Sequence, residues 1–476
     1  MTTRTDTSWR DFFSTGGLAI AVFVGGTTLQ AMEGFITSSM LPTVVRDIGG
    51  LDYFAWNTTL FIVASIAATV FAAVRPARIG PRDIYVAAAL GFGAGSLVCG
   101  LSTNMPMLLF GRTVQGFGAG LIIATSLAMI RIVFPQPMWP RAMALNAMVW
   151  GVATLLGPAV GGVFANFDLW RWAFLIIVPI AAVLALGAVA VLPRREDAGA
   201  QRDAPVLQIA LVIAAILLIS ISSLVTASTP LALVLLALAA LLIVALARVE
   251  GRTRHPLLPE GTLRPGSVLG TLFATILLLN ISVTSNIFAP LFFQKLHGLT
   301  PLWAGYLTAL LALGWTISAI ATSGFTGSRV IGAIVASPIV MTAGTVGLAV
   351  ALATANPGGE IVPIVVASAS LFAMGCGIGM AFQHLSTQVL ASGTAADNDR
   401  VSATLGMVQL FASGIGAAIG GVIVNAAGLP LATDAGGAVA AARWLYGIFA
   451  VMTALAMPFA LSVVRARSRP QPQPAE

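Results

Sequence analysis

The segment that decides the fold class reads Met32-Glu33-Gly34-Phe35-Ile36-Thr37-Ser38-Ser39-Met40-Leu41-Pro42, and it closes an apolar run that begins near residue 16. Glu33 is the only acidic residue in the interior of the apolar segments of this sequence. A carboxylate in hydrocarbon costs on the order of a few kcal/mol, so Glu33 is a candidate functional residue. The alternative is a polar residue at a helix end that reaches water, but ~12 Å of helix separates it from Pro42.

The residues around Glu33 place it on a polar helix face. Gln30 and Thr37 lie three residues before and four residues after it, on the same side of a helix. That face must contact protein or water and not lipid. We therefore expect Gln30, Thr37 and the neighbouring Phe35 to line an internal cavity.

Composition assigns the chain to the membrane proteins. Of its 476 residues, 58% are hydrophobic and only 9% are charged, whereas soluble domains contain roughly a quarter charged residues. Apolar runs of about 20 residues, long enough to cross a bilayer, recur along the whole sequence. The first run is followed by many others and lacks a small-residue cleavage site, so we do not interpret it as a signal peptide.

Turn-forming and charged residues separate the apolar runs into fourteen predicted spanning segments. The predicted segments are 16–41, 53–74, 83–103, 106–131, 141–166, 170–192, 206–227, 230–247, 267–292, 302–323, 331–354, 361–390, 401–426 and 441–464.

The distribution of Lys and Arg predicts the orientation. With the N-terminus in the cytoplasm, nineteen basic residues fall on the cytoplasmic side. Four fall on the other side, namely Arg46, Arg171, Lys295 and Arg443. One basic residue, Arg112, lies inside a span. The bias predicts a multi-pass protein of the inner (plasma) membrane with both termini in the cytoplasm. It also accounts for the net charge of +7 without a nucleic-acid partner.

An internal repeat divides the chain. A shift of 259 residues places Arg141–Asn166 on Arg400–Asn425, with eleven identities in 26 positions. Helices 1–6 therefore correspond to helices 9–14 in the same orientation, which is typical of a transporter with a central cavity. The predicted regions are a first six-helix half (1–192), a linker with two extra helices (193–266), a second half (267–465) and a disordered tail (466–476).

The repeat is most informative where it fails. Arg112 falls on Leu371, and Gln115 falls on Met374. We infer that ion coupling lies in the first half, while the second half shapes the cavity. Arg112 and Glu33 each lie about two turns from the outer ends of their helices, so an ion pair between them is possible. In the alternative interpretation, Arg112 pairs with backbone carbonyls or extends outward to the interface.

Helix 5 contains an unusual run, Gly157-Pro158-Ala159-Val160-Gly161-Gly162. Pro158 removes a backbone donor, and the three glycines leave bare backbone. This pattern predicts a kinked helix that packs closely against its neighbours. On its own it is also compatible with ordinary helix packing in membranes.

Four stretches resemble a known family. They are Glu33 followed by Leu41-Pro42 and Arg46-Asp47-Ile48-Gly49-Gly50, Arg112 with Gln115-Gly116, Gly157-Pro158-x-x-Gly161-Gly162, and Trp170-Arg171-Trp172-Ala173-Phe174. With these, the chain resembles, over nearly its whole length, the fourteen-helix drug:proton antiporter branch of the major facilitator superfamily. The resemblance implies an all-α polytopic fold of two parallel six-helix halves plus two inserted helices. It also implies that Gly157, Pro158, Gly161 and Gly162 form the antiporter motif.

One loop departs from the family pattern. Between helices 2 and 3 the family usually reads G-x-x-x-D-R-x-G-R-[RK], and here Arg78, Gly80 and Arg82 match. Ala77 stands where the family has its acid. In the family that acid is thought to latch the cytoplasmic gate, so the gating strength of this chain is left open.

The expected function is proton-coupled efflux of amphipathic small molecules or drugs by a monomer, without cofactor, metal or nucleic acid. Glu33 and Arg112 would couple protons, and substrates would be neutral and lipophilic or monocationic. The predicted cavity residues are Gln30, Phe35, Thr37, Gln115, Asn146, Trp150, Asn280, Asn286 and Gln409.

Other functions remain open at this level. The same machinery could export a specific metabolite or lipid, or the protein could be an importer. A membrane sensor or enzyme is disfavoured, because the sequence has no soluble domain, no HExxH pair and no evident Ser/His/Asp set. It also has no GxxxxGK[ST] loop, so we do not expect ATP to drive it.

Overall fold

The computed structural model describes residues 17–467 except for 75–78, 136–137, 195–204, 226–228, 254–257, 259–261, 263–266, 357, 392–397 and 432–434. Arg78 and Ala77 of the loop motif, and most of the predicted tail, lie outside the described residues. The described part of the chain is helical and contains no strand.

The chain forms two compact units. The first comprises residues 1–209 and 300–306. Its helices are α1 (Gly17–Ile48), α2 (Phe54–Val74), α3 (Pro81–Gly100), α4 (Met105–Val133), α5 (Trp139–Asn166), α6 (Trp170–Leu175) and α7 (Ile177–Val191). It also contains the first turn of α8 (Val206–Ser222) and the first turns of α12 (Pro301–Thr322).

The second unit comprises residues 210–299 and 307–476. It contains the remainder of α8 and α12. Its other helices are α9 (Thr229–Glu250), α10 (Val268–Val283), α11 (Ala289–His297), α13 (Ser328–Ala351), α14 (Ile361–Ala391), α15 (Asn398–Ala426), α16 (Ala435–Ala454) and α17 (Ala456–Arg467). The first residues of α5 and α15, Trp139 and Asn398, are separated by the same shift of 259 that relates the two halves of the sequence.

Apolar helices dominate the described residues. Thirteen helical segments there are long and apolar enough to cross a membrane, and α8 is a shorter apolar helix of 17 residues. The predicted all-α polytopic fold is thus confirmed. The predicted segment 206–227 is longer than α8, which ends at Ser222; the Ser222 and Ser223 hydroxyls donate hydrogen bonds to the carbonyls of Ile219 and Ser220.

Three predicted segments, 170–192, 267–292 and 441–464, are not continuous helices. The breaks lie at Ile176, at the 3-10 turn Thr284–Phe288 and at Leu455. Each break either includes or directly follows the residue four positions before a proline. The proline cannot donate a hydrogen bond to the carbonyl of that residue, and its ring clashes with the same carbonyl. The three proline pairs are Leu175 with Pro179, Asn286 with Pro290, and Ala454 with Pro458.

Glycines on α4 bring this helix into backbone contact with α2 and α3. A methyl group added at these glycines would overlap backbone or side-chain atoms of the neighbouring helices. The pairs are Gly116 with Phe61, Gly118 with Phe92, and Gly120 with Ser65. Close approach of this kind is typical of small residues at membrane helix interfaces. It places Arg112 and Gln115, on the same helix, within reach of α2 and α3.

The end of α1 is bound to the start of α6 by polar contacts. The Asp47 carboxylate accepts hydrogen bonds from Arg171 at 2.7 Å and from the Trp170 indole at 3.1 Å. Arg171 also donates to the Ser102 carbonyl at 3.1 Å. Two stretches that are far apart in sequence, around Asp47 and Arg171, therefore meet in the first unit.

Candidate functional site

Glu33 of α1 and Arg112 of α4 form a buried ion pair inside the first unit. The side chains are 1% and 3% exposed, respectively. A membrane-embedded arginine needs a partner, and here the partner is the acid at similar depth. The arrangement favours the ion-pair interpretation of Arg112 over outward extension.

The two oxygens of Glu33 have different surroundings. Oε1 accepts hydrogen bonds from Arg112 and, at 2.5 Å, from the Thr37 hydroxyl one turn along α1. Oε2 is buried and has no hydrogen-bond partner among the described residues. One oxygen is thus fixed by two hydrogen bonds, whereas the other has none among the described residues.

Arg112 has three further contacts. Its Nε donates to the Asn57 carbonyl at 3.3 Å, and its NH1 donates to the Gln115 side-chain carbonyl at 2.5 Å. The Phe61 ring lies under the guanidinium, 4.3 Å from the ring centroid. Such cation–π contact is attractive, and more so when it is shielded from water. Arg112 therefore retains partners even when Glu33 carries no charge.

A cavity of about 130 Å³ opens between α1, α4 and α5 in the same unit. Its lining residues are Thr27, Gln30, Ile122, Ile123, Ser126, Asn146 and Trp150. The three residues predicted here, Gln30, Asn146 and Trp150, thus come together although they lie up to 120 residues apart in sequence. Gln30 lies one helical turn from Glu33, so the cavity and the ion pair share a wall of α1.

The glycines of α5 contact backbone on two sides. A methyl group at Gly157 would overlap Phe35, and one at Gly161 would overlap the Ile36 carbonyl of α1. A methyl group at Gly162 would lie 2.5 Å from the Cα atom of Leu302, in the first turn of α12. The run is therefore a tightly packed contact surface within the first unit and does not face lipid at these positions.

The start of α12 completes this surface. A methyl group at Gly305 would lie 3.1 Å from Cβ of Pro158. The backbone nitrogen of Leu302 donates to the side-chain oxygen of Asn166 at 3.4 Å. Because the first helical nitrogens lack intrahelical partners, Asn166 supplies one from the neighbouring helix.

Other predicted site residues are not among the residues of these contacts. Asn280, Asn286 and Gln409 belong to the second unit. Asn280 is buried and donates to the Ile276 carbonyl of its own helix at 2.8 Å, while Gln409 is half-buried. At the start of α3, Gly80 is the N-cap and Arg82 is half-buried.

Sequence reasoning missed two residues of the ion-pair network and one buried acid. Phe61 lies under Arg112, and Ser96 accepts a hydrogen bond from Gln115. Ser96 could have been recognised because it is a polar residue within an apolar segment. Nothing in the sequence distinguishes Phe61 from the other apolar residues of its segment. The buried acid is Glu250, the last residue of α9, whose carboxylate accepts a hydrogen bond from the Leu258 backbone.

Comparison with known proteins places these features in a family. A model of the major facilitator superfamily matches residues 23–421. Over 460 residues, the chain is 37% identical to a probable multidrug-efflux transporter of Mycobacterium tuberculosis, with 94% of each chain covered. It is 28% identical to the multidrug efflux pump SdrM of Staphylococcus aureus over 60% of this chain and 64% of that pump.

Solved structures share the fold at low sequence identity. A bacterial homolog of the human lysosomal transporter Spinster superposes with a TM-score of 0.64 at 14% identity, covering 96% of this chain and 99% of that one. A POT peptide transporter superposes with a TM-score of 0.66 at 12% identity, covering 95% of both chains. The chain therefore belongs to the major facilitator superfamily and is a membrane transporter and not an enzyme.

Proposed function

We propose that this transporter exports amphipathic small molecules in exchange for protons, as a member of the fourteen-helix drug:proton antiporter branch. The relatives named as multidrug-efflux proteins support export of small molecules. The arginine distribution supports an inner-membrane protein with cytoplasmic termini. We propose that the protein acts as a monomer.

The observation that carries the proposal is the buried pair of Glu33 and Arg112. With both groups charged, the pair is neutral and its desolvation is offset by mutual attraction. Protonation of Glu33 leaves the buried Arg112 without a counter-charge, and such a loss costs about 3–5 kcal/mol. Proton transfer at Glu33 therefore changes the energy of the buried pair, which links it to the conformation of the site.

The surroundings of the pair fit this exchange. The free Oε2 atom gives the proton a position that does not compete with Thr37 or Arg112. The carbonyls of Asn57 and Gln115 and the ring of Phe61 hold Arg112 in place when the carboxylate is neutral. The site can thus gain and lose a proton without collapse.

The contact surface formed by the glycines of α5 supports alternating access. Gly161 and Gly162 let α1 and the start of α12 approach without intervening side chains. Such a contact is held by van der Waals packing and by few polar groups, so it can open and close at low cost. We place the extracellular gate here, and we take export over import from the antiporter motif that these residues form.

Transport by Glu33→Gln in reconstituted vesicles tests the proposal. Glutamine keeps the shape and an oxygen for Arg112 but cannot be deprotonated. We expect uphill transport driven by a pH gradient to be lost, while the variant still folds and exchanges substrate downhill, with a thermal stability lowered by the loss of the counter-charge to Arg112. Glu33→Asp, which keeps the acid, is the control and should retain gradient-driven transport. Uphill transport by Glu33→Gln at the wild-type rate would exclude Glu33 as the coupling residue.

A further inference from the structure

The described lining of the cavity between α1, α4 and α5 is mostly apolar and carries no charge. None of its seven residues is ionisable, and three of them have polar groups that can hydrogen-bond to a ligand. These are Ser126 of α4, Asn146 of α5 and Gln30 of α1. The buried carboxylate of Glu33 is not part of the lining.

Ser126 is the most informative of these residues. It is only 4% exposed, and its hydroxyl has no hydrogen-bond partner among the described residues. The adjacent Thr125 and the facing Thr27 behave differently, because their hydroxyls donate to carbonyls of their own helices at 2.7 Å and 3.1 Å. A buried hydroxyl without a partner is unfavourable, so Ser126 is a group that a bound molecule would satisfy.

The two amides extend this polar patch. Gln30 and Asn146 are half-buried and line the same cavity. Each amide can donate and accept. Together with the Ser126 hydroxyl, they match a ligand group that also both donates and accepts, or that accepts from several donors.

Trp150 supplies an apolar surface beside the polar patch. Trp150 is 44% exposed although it lines the cavity, and Ile122 and Ile123 add further apolar surface to the lining. An indole face stacks well on a flat ring. A molecule with an aromatic body and a small polar group therefore fits the arrangement of walls.

We propose that this cavity is a subsite for a neutral carboxamide, carbonyl or hydroxyl group attached to an aromatic ring, held by Ser126, Asn146 and Gln30 with the ring on Trp150. This inference rests on the proposed export function, and it names a substrate class. A volume of about 130 Å³ holds the polar group and one ring edge and not a whole drug-sized molecule, so the remainder of the substrate extends beyond the subsite.

The same walls disfavour a cationic head group. A cation placed here would lose its hydration and meet only neutral dipoles, which is unfavourable without a counter-charge. Glu33, the acid on the same helix as Gln30, is already paired with Arg112 and is 1% exposed. Neutral ligands should therefore bind more tightly than cations of the same size.

Three naphthalene probes that differ only in the head group test this inference. Naphthalene-2-carboxamide is neutral and polar, 2-naphthylmethylammonium is cationic, and 2-methylnaphthalene has no polar group. Equilibrium dialysis of each radiolabelled probe against the purified full-length protein in nanodiscs gives the affinities without a pH gradient. We expect the carboxamide to bind about tenfold tighter than either other probe, since one or two net hydrogen bonds are worth about that factor.

Substitutions of the lining residues test which of them bind the carboxamide group. Ser126→Ala and Asn146→Ala should each weaken carboxamide binding by roughly fivefold to tenfold and leave methylnaphthalene binding unchanged. Asn146→Asp should invert the preference in favour of the ammonium probe. Thr154→Ala is the matched control, because that hydroxyl lies on α5 outside the cavity lining and donates to its own helix; it should change none of the affinities.

The outcomes separate this subsite from the coupling mechanism. Equal affinities for the three probes, or equal losses in Ser126→Ala and Thr154→Ala, would overturn the subsite. Because the assay needs neither transport nor a proton gradient, selective binding can be found even if Glu33→Gln proves fully active. Conversely, loss of coupling in Glu33→Gln with unselective binding would refute the subsite alone.

Discussion

Gln115 and Ser96 are joined by a hydrogen bond of 2.9 Å from the Gln115 side-chain nitrogen to the Ser96 hydroxyl oxygen. The Ser96 hydroxyl proton is already donated to the Phe92 carbonyl at 2.8 Å, so its oxygen can only accept from Gln115. This bond fixes the orientation of the amide, whose carbonyl therefore faces Arg112. Ser96 thus acts on the ion pair through Gln115, as a positioning residue.

Replacing Ser96 tests this role. In Ser96→Ala the Gln115 amide is free to rotate and to present its NH₂ group to Arg112, which weakens the pair by about 1 kcal/mol, the size of one hydrogen bond. We expect gradient-driven transport to fall severalfold and its pH dependence to shift, while downhill exchange changes little. Ser102→Ala removes a buried hydroxyl that lies beyond the end of α3 and donates to the Cys99 carbonyl, and it should leave both unchanged. An unaltered pH profile in Ser96→Ala would argue against the positioning role.

The α5 glycines allow a second test. Gly161→Leu places a side chain against the Ile36 carbonyl of α1 and should reduce transport about tenfold or more, since it forces the helices apart. Gly151, on the same helix, has open space around it, so Gly151→Leu should transport normally. Immunoblotting of membrane fractions checks that both variants are inserted. Full transport by Gly161→Leu would mean that this contact is not part of the gate.

Two equivalent asparagines of the repeat give a stability prediction. Asn425 is buried and donates to the Ser223 carbonyl at 3.0 Å, whereas Asn166 is exposed and its contact with Leu302 is longer, at 3.4 Å. Asn425→Ala leaves a buried carbonyl without this donor and should destabilise the protein by about 1–3 kcal/mol. Asn166→Ala should cost less than about 0.5 kcal/mol. Thermal unfolding in one detergent compares them, and equal midpoints would contradict the assignment.

Substrate charge gives the last prediction. The cavity lining is uncharged and the one acid beside it is paired with Arg112, so a dication would keep at least one charge without a partner. Such burial is expected to cost several kcal/mol even after relaxation. In one vesicle preparation, a bis-cationic dye should therefore be transported more slowly than a mono-cationic dye of similar size and hydrophobicity. Equal rates would indicate that acids outside the described lining, such as Asp52, reach the substrate.

The sequence alone predicted the class of protein and the two members of the central ion pair. Apolar runs and arginine bias are local properties, and a charged residue within such a run is conspicuous because hydrocarbon tolerates so few. Glu33 and Arg112 were recognised for this reason. The similar depth of the two residues, read from residue counts along each helix, was enough to suggest their contact.

Helix breaks and side-chain environments were harder to predict. Pro179, Pro290 and Pro458 are visible in the sequence, but proline is tolerated in many membrane helices when neighbours satisfy the freed carbonyl. Pro158 illustrates this, because α5 continues through it. Whether a proline ends a helix therefore depends on contacts that the sequence does not display.

Only the tertiary structure decided which groups surround the pair and which remain free. The helices are apolar on nearly all sides, so hydropathy does not determine how each one is rotated about its axis. That rotation places Phe61 under Arg112 and turns Ser96 toward Gln115. It also leaves the buried Ser126 hydroxyl without a hydrogen-bond partner among the described residues, while the adjacent Thr125 hydroxyl donates within its own helix. Composition and depth along each helix are properties of the sequence, whereas the facing of side chains across helices arises from packing.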